Sequence, residues 1–399
     1  SMIVCCLLAA LALANAGPTG VRAGNAPEQI HLALGLSPSE MVVSWVTPSA
    51  ANSSVRVGTT SGAYTMTFVG TSDSYTWGTY TSGALHSATM SGLKAGRTKY
   101  FYQVGDSAAN LWSAEFSFST APGAPVATSY SLIGDLGQTS NSQETLKGIL
   151  KNPLGDTDLL LHVGDLSYAN GNQPLWDSYG RMIQEVAAIK PYMVGVGNHE
   201  AYDAFVPVIH RYNMPGPAPM NGSFYYAFTH GHARFVWLST ETDYSEGGVQ
   251  YNWVKQELAS IDRKETPWVF VFWHTPIYNS NTCHQGEGAK FKQIYETLLF
   301  NAKIDANFVG HVHSAEFFTN VYQDKENSAG PWYFNIGDGG NKEGLCRLWL
   351  DQPSYSVFRK SAYGFSNLRI FNETHAQFSW FENPDSVNQN IGYQTMMVR

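Results

Sequence analysis

The chain has 399 residues, of which 43% are apolar and 14% are charged, and its formal net charge is -8. This length suggests two domains, and this composition is typical of folded globular proteins and argues against extensive disorder. Because the net charge is negative, no nucleic-acid partner is expected.

The first residues are typical of a secretory signal peptide. The apolar run from Ile3 to Ala14 is too short to span a bilayer, and Ala14-Asn15-Ala16 has the small-x-small pattern of a cleavage site, although no basic residue precedes the run. We predict that residues 1–16 are a signal peptide and that the mature protein is secreted, either outside the cell or into a vacuolar or lysosomal-type compartment. The alternative interpretation is a buried strand or helix.

Three sequons without proline agree with secretion, and they make candidate glycosylation sites of Asn52, Asn221 and Asn372. After removal of the signal, Cys283 and Cys346 remain, which are too few for a disulfide framework but could pair with each other. No later apolar run is long enough to cross a bilayer, so no membrane partner is expected for the mature form.

Residues 27–120 contain short alternating segments rich in β-branched and aromatic residues, separated by Gly, Ser and Pro. They are Gln29 to Leu36, Met41 to Thr47, Leu85 to Met90, Thr98 to Val104 and Ala114 to Ser119. The pattern predicts an all-β sandwich of immunoglobulin or fibronectin type III kind, and the lack of cysteines favours the fibronectin type III-like form. The turn before Tyr100 resembles the one that carries a corner tyrosine in such sandwiches. We assign no chemistry to this domain.

Residues 121–127, rich in proline and glycine, are the predicted linker. In residues 128–399, apolar runs alternate with amphipathic stretches that predict helices, namely Ser142 to Leu150, Trp176 to Ile189, Val249 to Ile261 and Gly288 to Phe300. Further strands are predicted at Pro331 to Ile336, Asn367 to Phe371 and Ala376 to Phe381. This pattern predicts an α/β domain of layered mixed β-sheets flanked by helices.

Five apolar runs of this second domain end in residues that can bind metals. They end at Asp135, at Asp165 and Tyr168, at Asn198, at His274, and at His311 and His313. Ligands of open α/β sheets bind at the carboxyl ends of the strands, so we expect these side chains at one edge of a sheet. Each ending alone is explained by a turn or a hydrogen-bonded histidine, but together they predict a di-metal site.

Seven such ligands suit two ions that share a bridging carboxylate. Anionic oxygen favours Fe(III), and the imidazole-rich half suits a divalent ion such as Zn, Mn or Fe. With a bridging hydroxide the site keeps about one net positive charge, which would attract an anionic substrate. A backbone twist at His311-Val312-His313 is needed, because an extended strand would point the two rings to opposite sides.

The blocks Gly134-Asp135-Leu136-Gly137, Gly164-Asp165-x-x-Tyr168, Gly197-Asn198-His199-Glu200, His274 and Gly310-His311-x-His313 resemble the five-block signature of the purple acid phosphatases. The resemblance is greatest to the larger plant-type members of this family, which is part of the calcineurin-like metallophosphoesterase superfamily. It covers essentially the whole mature chain. It implies a fibronectin-like domain followed by a metallophosphoesterase catalytic domain.

The activity that this resemblance implies is hydrolysis of small phosphate monoesters at acid pH, by a metal-bound hydroxide and without a phosphoenzyme. It implies that Asp135, Tyr168 and His313 hold Fe(III), that Asp165 bridges, and that Asn198, His274 and His311 hold the divalent ion. His199 and His284 are the implied catalytic residues, and Asn198, His199 and His284 the implied substrate contacts.

Three departures from the family pattern stand out. Cys283-His284 replaces two adjacent histidines, and Cys283 is either bonded to Cys346 or a free thiol beside the metals. Residues 314–317, Ser-Ala-Glu-Phe, replace the usual aromatic and basic residues, which removes the basis for substrate contacts there. No cysteine lies in residues 320–331, so a homodimer would have no intersubunit disulfide.

Two other interpretations remain open. Another calcineurin-like enzyme, a nucleotidase or phosphodiesterase, would generally lack the phenol of Tyr168. A non-catalytic secreted binding protein would be expected to have lost metal ligands, whereas all seven are intact.

Overall fold

The computed structural model describes residues 24–216, 224–383 and 391–399. The predicted signal peptide and the sequon at Asn221 lie outside the described residues. Asn52 and Asn372 are both exposed. Of the helices in the described ranges, none has the length and hydropathy that a membrane span requires.

The first part of the chain is all-β. Its strands are β1 (Glu28–Leu34), β2 (Met41–Thr47), β3 (Ser54–Gly58), β4 (Met66–Val69), β5 (Thr71–Asp73), β6 (Thr76–Trp77), β7 (Tyr80–Thr81), β8 (Ala84–Met90), β9 (Lys99–Asp106), β10 (Leu111–Trp112) and β11 (Phe116–Ser119). Two antiparallel sheets, β1-β2-β8-β5 and β10-β9-β3-β4 with β11 also on β9, enclose the buried Trp45 and Tyr102. The hydroxyl of Tyr100 accepts a hydrogen bond from the Lys94 N–H (2.9 Å), which is the contact expected of a corner tyrosine.

The second part alternates strands and helices. Its elements are β12 (Thr128–Ile133), α1 (Ser140–Leu150), β13 (Leu159–His162), α2 (Pro174–Ala187), β14 (Tyr192–Val194), α3 (Asn198–Tyr202), α4 (Val206–Arg211), β15 (Tyr226–His230), β16 (Ala233–Trp237), α5 (Val249–Ser260), β17 (Trp268–Phe272), α6 (Ala289–Asn301), β18 (Ala306–Val309), β19 (Ala315–Phe318), β20 (Val321–Tyr322), β21 (Lys325–Glu326), β22 (Trp332–Ile336), β23 (Ser356–Lys360), β24 (Gly364–Ile370), β25 (His375–Glu382) and β26 (Ile391–Val398). The four predicted helices are present as α1, α2, α5 and α6.

The prediction that the five ligand-bearing strands lie in one sheet is wrong. β12, β13 and β14 belong to a six-stranded sheet, β14-β13-β12-β24-β25-β26, whereas β17 and β18 belong to a seven-stranded sheet, β15-β16-β17-β18-β22-β19-β23. Both sheets are mixed, with parallel pairs at the site and antiparallel pairs beyond it. Strand partners are chosen by long-range packing, so a run of apolar residues does not reveal its sheet.

The two sheets pack face to face between outer helices. On β17, Phe270 and Phe272 point to the six-stranded sheet, and Val269 and Val271 point to the apolar residues of α5 and α6. This alternation is why the strand is apolar at every position. Helices α1 and α2 cover the other side of the six-stranded sheet.

The all-β domain is attached firmly to α2 and α4. The hydroxyl of Tyr102 donates to the carbonyl of Ala188 (2.7 Å), and the buried guanidinium of Arg211 binds both Gln29 and Asp177 (2.9 Å each). No metal-ligand candidate comes from this domain. Besides these helices it contacts β14, through β1, and the loop of Asp158, through Arg97.

A buried carboxyl group makes the stability of the catalytic domain depend on pH. Asp338 is 1% exposed, its Oδ2 accepts from the indole N–H of Trp380 (2.6 Å), and its Oδ1 has no partner among the described residues. Burial raises the pKa of Asp338 to about 7, with a smaller contribution from Asp135. The folded pKa exceeds the unfolded one, so this stabilisation is complete below the unfolded pKa and is lost as the pH rises through about 7.

We predict that Asp338→Asn removes this pH dependence, because an amide is neutral throughout and its oxygen still accepts from Trp380. Between pH 4 and 8 the free energy of unfolding of the wild type should fall, relative to the variant, by up to about 4 kcal/mol. Denaturant unfolding of both proteins across this range measures the difference. Parallel pH profiles would contradict the prediction.

Candidate metal centre

The seven predicted ligands meet where the carboxyl ends of the two sheets face each other. Asp135 follows β12, Asp165 and Tyr168 follow β13, Asn198 begins α3, His274 follows β17, and His311 and His313 follow β18. The two sheets are joined here directly, since the His311 N–H donates to both carboxylate oxygens of Asp135 (3.0 and 2.8 Å).

The backbone is left-handed at four of these ligands. The φ angle is 54° at Asp135, 55° at Asp165, 54° at Tyr168 and 70° at His311. A non-glycine residue in this region costs about 1–2 kcal/mol, so the surrounding contacts must hold it there. At His311 this conformation supplies the twist that brings its ring and that of His313 to the same site.

Three side chains form one half of the site. The Tyr168 hydroxyl lies 3.1 Å from Oδ1 of Asp135 and 3.1 Å from Nε2 of His313. All three side chains are buried. Burial and the charges of Asp135 and Asp165 raise the pKa of Tyr168 well above its ordinary value. A phenolate therefore forms here only beside a strongly positive group.

The other half contains Asp165, His274, Asn198 and His311. Nε2 of His274 lies 3.1 Å from Oδ2 of Asp165 and 3.2 Å from Oδ1 of Asn198. Donor atoms of Asp165, His274 and His311 all lie within 4.8 Å of one another. These distances place Asp165 beside the imidazoles of this half, and its charge also raises the pKa values of Tyr168 and His313 in the other half.

Each of the three histidines has its second nitrogen occupied. Nδ1 of His274 bonds to the carbonyl of Val163 (2.9 Å) and Nδ1 of His313 to that of Gly344 (3.0 Å), while Nε2 of His311 bonds to Glu287 (2.6 Å). Such bonds fix the tautomer and the ring orientation of a metal-binding histidine. They leave Nε2 of His274 and His313 and Nδ1 of His311 to act as ligands.

The donor set fits two cations. Oδ2 of Asp165 is buried without an aligned hydrogen-bond donor, which is costly for a carboxylate unless a positive group lies beside it. Burial opposes charge on His274, yet Asp165 and Asp135 raise its pKa well above the ordinary value. The chain alone thus draws positive charge to this point, where the carboxylates would otherwise repel each other.

Sequence reasoning missed two acidic residues that support these ligands. Glu200 is fully buried and accepts hydrogen bonds from the N–H groups of Asp165 (2.9 Å), Leu166 (2.8 Å) and Gly197 (2.9 Å). It therefore fixes the loops that carry Asp165 and Asn198. The position of Glu200 in the Gly-Asn-His-Glu block could have indicated its role from the sequence. The second missed residue is Glu287, which binds Nε2 of His311. No sequence pattern near Glu287 indicates this contact.

The two predicted catalytic histidines lie on opposite sides of the ligands. The ring of His199 is 4.0 Å from that of Tyr168, and its Nδ1 bonds to Oδ1 of Asn170 (2.6 Å). The ring of His284 is 4.0 Å from that of His311, and its Nδ1 bonds to Glu287 (3.0 Å). Both rings are therefore oriented by a hydrogen bond.

Cys283 is bonded to Cys346. The disulfide connects the loop of His284 to a segment that is itself attached to the site, because the Cys346 N–H donates to the carbonyl of His313 (2.9 Å). The free-thiol interpretation of Cys283 is therefore wrong.

In the neighbouring segment, Ala315 and Phe317 are buried in β19, and the carboxylate of Glu316 binds Ser280 and Ser356.

Three parts of the chain match models of known protein families. Residues 27–120 match the model of the purple acid phosphatase N-terminal domain, residues 130–315 that of the calcineurin-like phosphoesterases, and residues 330–391 that of iron/zinc purple acid phosphatase-like protein C. The probable purple acid phosphatase 20 of Arabidopsis thaliana is 40% identical over 385 residues, which are 93% of this chain and 88% of that protein. The chain belongs to the purple acid phosphatase family.

Two further relatives are informative. The Fe(3+)-Zn(2+) purple acid phosphatase 12 of Arabidopsis thaliana is 35% identical, with 90% of this chain and 82% of that protein covered. The structure of a purple acid phosphatase from yellow lupin seeds superposes with a TM-score of 0.85 at 23% identity, over 94% of this chain and 75% of that one. The predicted family, fold class and enzyme class are confirmed. This purple acid phosphatase is a metallophosphoesterase that hydrolyses phosphate monoesters.

We predict that Glu287→Gln weakens binding of one metal ion, because an amide orients and polarises the His311 ring less well than a carboxylate. Loss of such a partner typically lowers metal affinity about 10–100-fold. Titration of the metal-depleted enzyme with Zn²⁺ measures the change, and Glu185→Gln, on the exposed side of α2, is the matched control. Equal affinities in the two variants would contradict the role of Glu287.

We also predict that replacing both Cys283 and Cys346 by serine lowers the free energy of unfolding. The bond closes a segment with a sequence separation of 63, for which chain entropy gives about 4 kcal/mol. Denaturant unfolding of the double variant, and of the reduced wild type, should agree. Two free thiols in the native enzyme would show that the bond does not form.

Proposed function

We propose that this protein is a secreted acid phosphatase that hydrolyses phosphate monoesters with a binuclear Fe(III)-M(II) centre, M being Zn, Mn or Fe. The observation that carries the proposal is the buried contact of the Tyr168 hydroxyl with both Asp135 and His313, beside Asp165. A phenol, two carboxylates and three imidazoles in one pocket form a ligand set of unequal halves. The oxygen-rich half suits the harder ion.

Asp135, Tyr168 and His313 would hold Fe(III), and Asn198, His274 and His311 the divalent ion, with Asp165 between them. When bound, the two ions would supply Lewis acidity toward the phosphate and an activated water. The chain itself holds these ligands in position. Backbone N–H groups of His311 and His199 fix Asp135 and Asp165, and Glu287 fixes His311.

His199 and His284 would contact the phosphate from two sides. Nε2 of His199 lies 3.7 Å from Asp165 and 3.4 Å from Glu343, so it faces the ligand cluster. The ring of His284 packs against that of His311, so it lies beside the proposed divalent-metal ligands. We assign to these rings the stabilisation of the phosphate oxygens and the protonation of the leaving group.

Three observations support secretion. The first residues have a signal-like pattern, Asn52 and Asn372 are exposed sequons, and the chain forms a disulfide of the kind that persists in oxidising compartments.

Both cysteines of the described ranges pair within the chain, so a homodimer would assemble without an intersubunit disulfide. A small phosphate monoester is the proposed substrate.

We predict a visible absorption band from the Tyr168 phenolate bound to Fe(III), which disappears in Tyr168→Phe. Tyr179→Phe is the matched control, because this buried tyrosine bonds to Tyr192 outside the ligand set. Spectra and metal analysis of the purified proteins, with p-nitrophenyl phosphate turnover at acid pH, make the measurement. An iron-loaded wild type without the band, or a Tyr168→Phe enzyme that keeps it, would refute the heterovalent centre.

A further inference from the structure

A pocket of about 150 Å³ opens beside the proposed divalent-metal ligands Asn198 and His311. It is formed by the loop after β16 and by the start of α6, with Thr275 between them. Because Asn198 and His311 line both this pocket and the proposed divalent-metal site, a phosphate bound at that site would have the pocket beside it. The pocket is thus positioned to receive the leaving group.

The charged side chains that line the pocket are acidic, apart from the imidazole of His311. Glu241 is half-buried, and its Oε1 accepts from the hydroxyls of Thr240 (2.9 Å) and Thr275 (3.4 Å). The described residues offer its Oε2 no hydrogen-bond donor. Glu287 lines the same pocket but has both oxygens bonded to histidines. Glu241 is therefore the carboxylate available to a ligand.

Two aromatic rings form another part of the pocket wall. Tyr244 and Phe291 pack edge to face with their centroids 5.3 Å apart, and both line the pocket. The exposed amine of Lys290 lies 5.6 Å from the Tyr244 ring. Lys290 does not line the pocket, whose lining contains no Lys or Arg among the described residues. Aromatic faces beside carboxylates are the usual recognition site of ammonium groups.

We propose that this pocket is the leaving-group subsite and that Glu241 and Tyr244 select phosphate monoesters whose alcohol carries an ammonium group. The inference rests on the proposed function and adds a substrate class to it. The metals attract the phosphate, whereas the pocket repels further negative charge, so polyanions such as phytate and nucleoside triphosphates are disfavoured. A zwitterionic ester such as phosphocholine satisfies both regions.

The test compares two substrates of nearly equal shape, phosphocholine and 3,3-dimethylbutyl phosphate, which differ in the charge of the leaving group. Burial raises the pKa of Glu241, so the assay is run at about pH 7 rather than at acid pH to favour its carboxylate form. Under these conditions the wild type should show a kcat/KM ratio of at least about ten in favour of phosphocholine. This ratio corresponds to about 1.4 kcal/mol. It is measured on the intact enzyme and requires no variant.

Variants then test whether Glu241 and Tyr244 cause the preference for phosphocholine. Glu241→Gln should lower the ratio about tenfold, whereas Glu246→Gln, an exposed carboxylate on the same loop, should leave it unchanged. Tyr244→Leu should lower the ratio about threefold, and Tyr244→Phe should retain it because the ring is kept. Choline should also inhibit p-nitrophenyl phosphate hydrolysis more strongly than 3,3-dimethylbutanol.

The outcomes separate this inference from the proposed function. A ratio near one, or a preference for phytate or ATP, with normal turnover of p-nitrophenyl phosphate, would overturn the subsite and leave the phosphatase assignment intact. A wild-type preference that survives Glu241→Gln and Tyr244→Leu would also overturn it. No turnover of any monoester by the metal-loaded enzyme would overturn both.

Discussion

Two carboxylates, Asp135 and Asp165, are buried at the ends of adjacent parallel strands, and they set the main electrostatic constraint on the site. Like charges in a dry interior repel each other and lose their hydration, so they require donors and cations nearby. The chain supplies backbone N–H groups from His311 and His199. The remaining negative charge is what makes this point of the fold a place for metal ions.

Much of the surrounding architecture keeps these groups in place. Left-handed backbone at several ligands is tolerated because the neighbouring loops are hydrogen-bonded to one another, with Glu200 holding three backbone N–H groups. The two sheets fix their carboxyl ends against each other by packing aromatic side chains between them. The disulfide of Cys283 adds a covalent connection to the loop of His284, which is also held by hydrogen bonds that Asn279, Asn281 and Gln285 make within it.

The electrostatic design is asymmetric. The ligand cluster would be positive once metals are bound, whereas the adjoining pocket is lined by the carboxyl groups of Glu241 and Glu287. A substrate that spans both regions needs an anionic end and a neutral or cationic end. Differences of this kind between neighbouring sites give specificity without changing the chemistry of the reaction, which we assign to the proposed metal ligands.

Periodicity and residue chemistry are local properties, so the sequence alone predicts two successive domains, most of the helices and strands, and seven candidate ligands. It placed Asp135 and His311 at strand ends but put both strands in one sheet, since pairing depends on packing between distant segments. Only the tertiary structure decided that Cys283 bonds to Cys346, that Glu287 orients His311, and that Glu241 and Tyr244 share a pocket. These contacts join residues that no local pattern relates, and they form only when two sheets and their loops close around one centre.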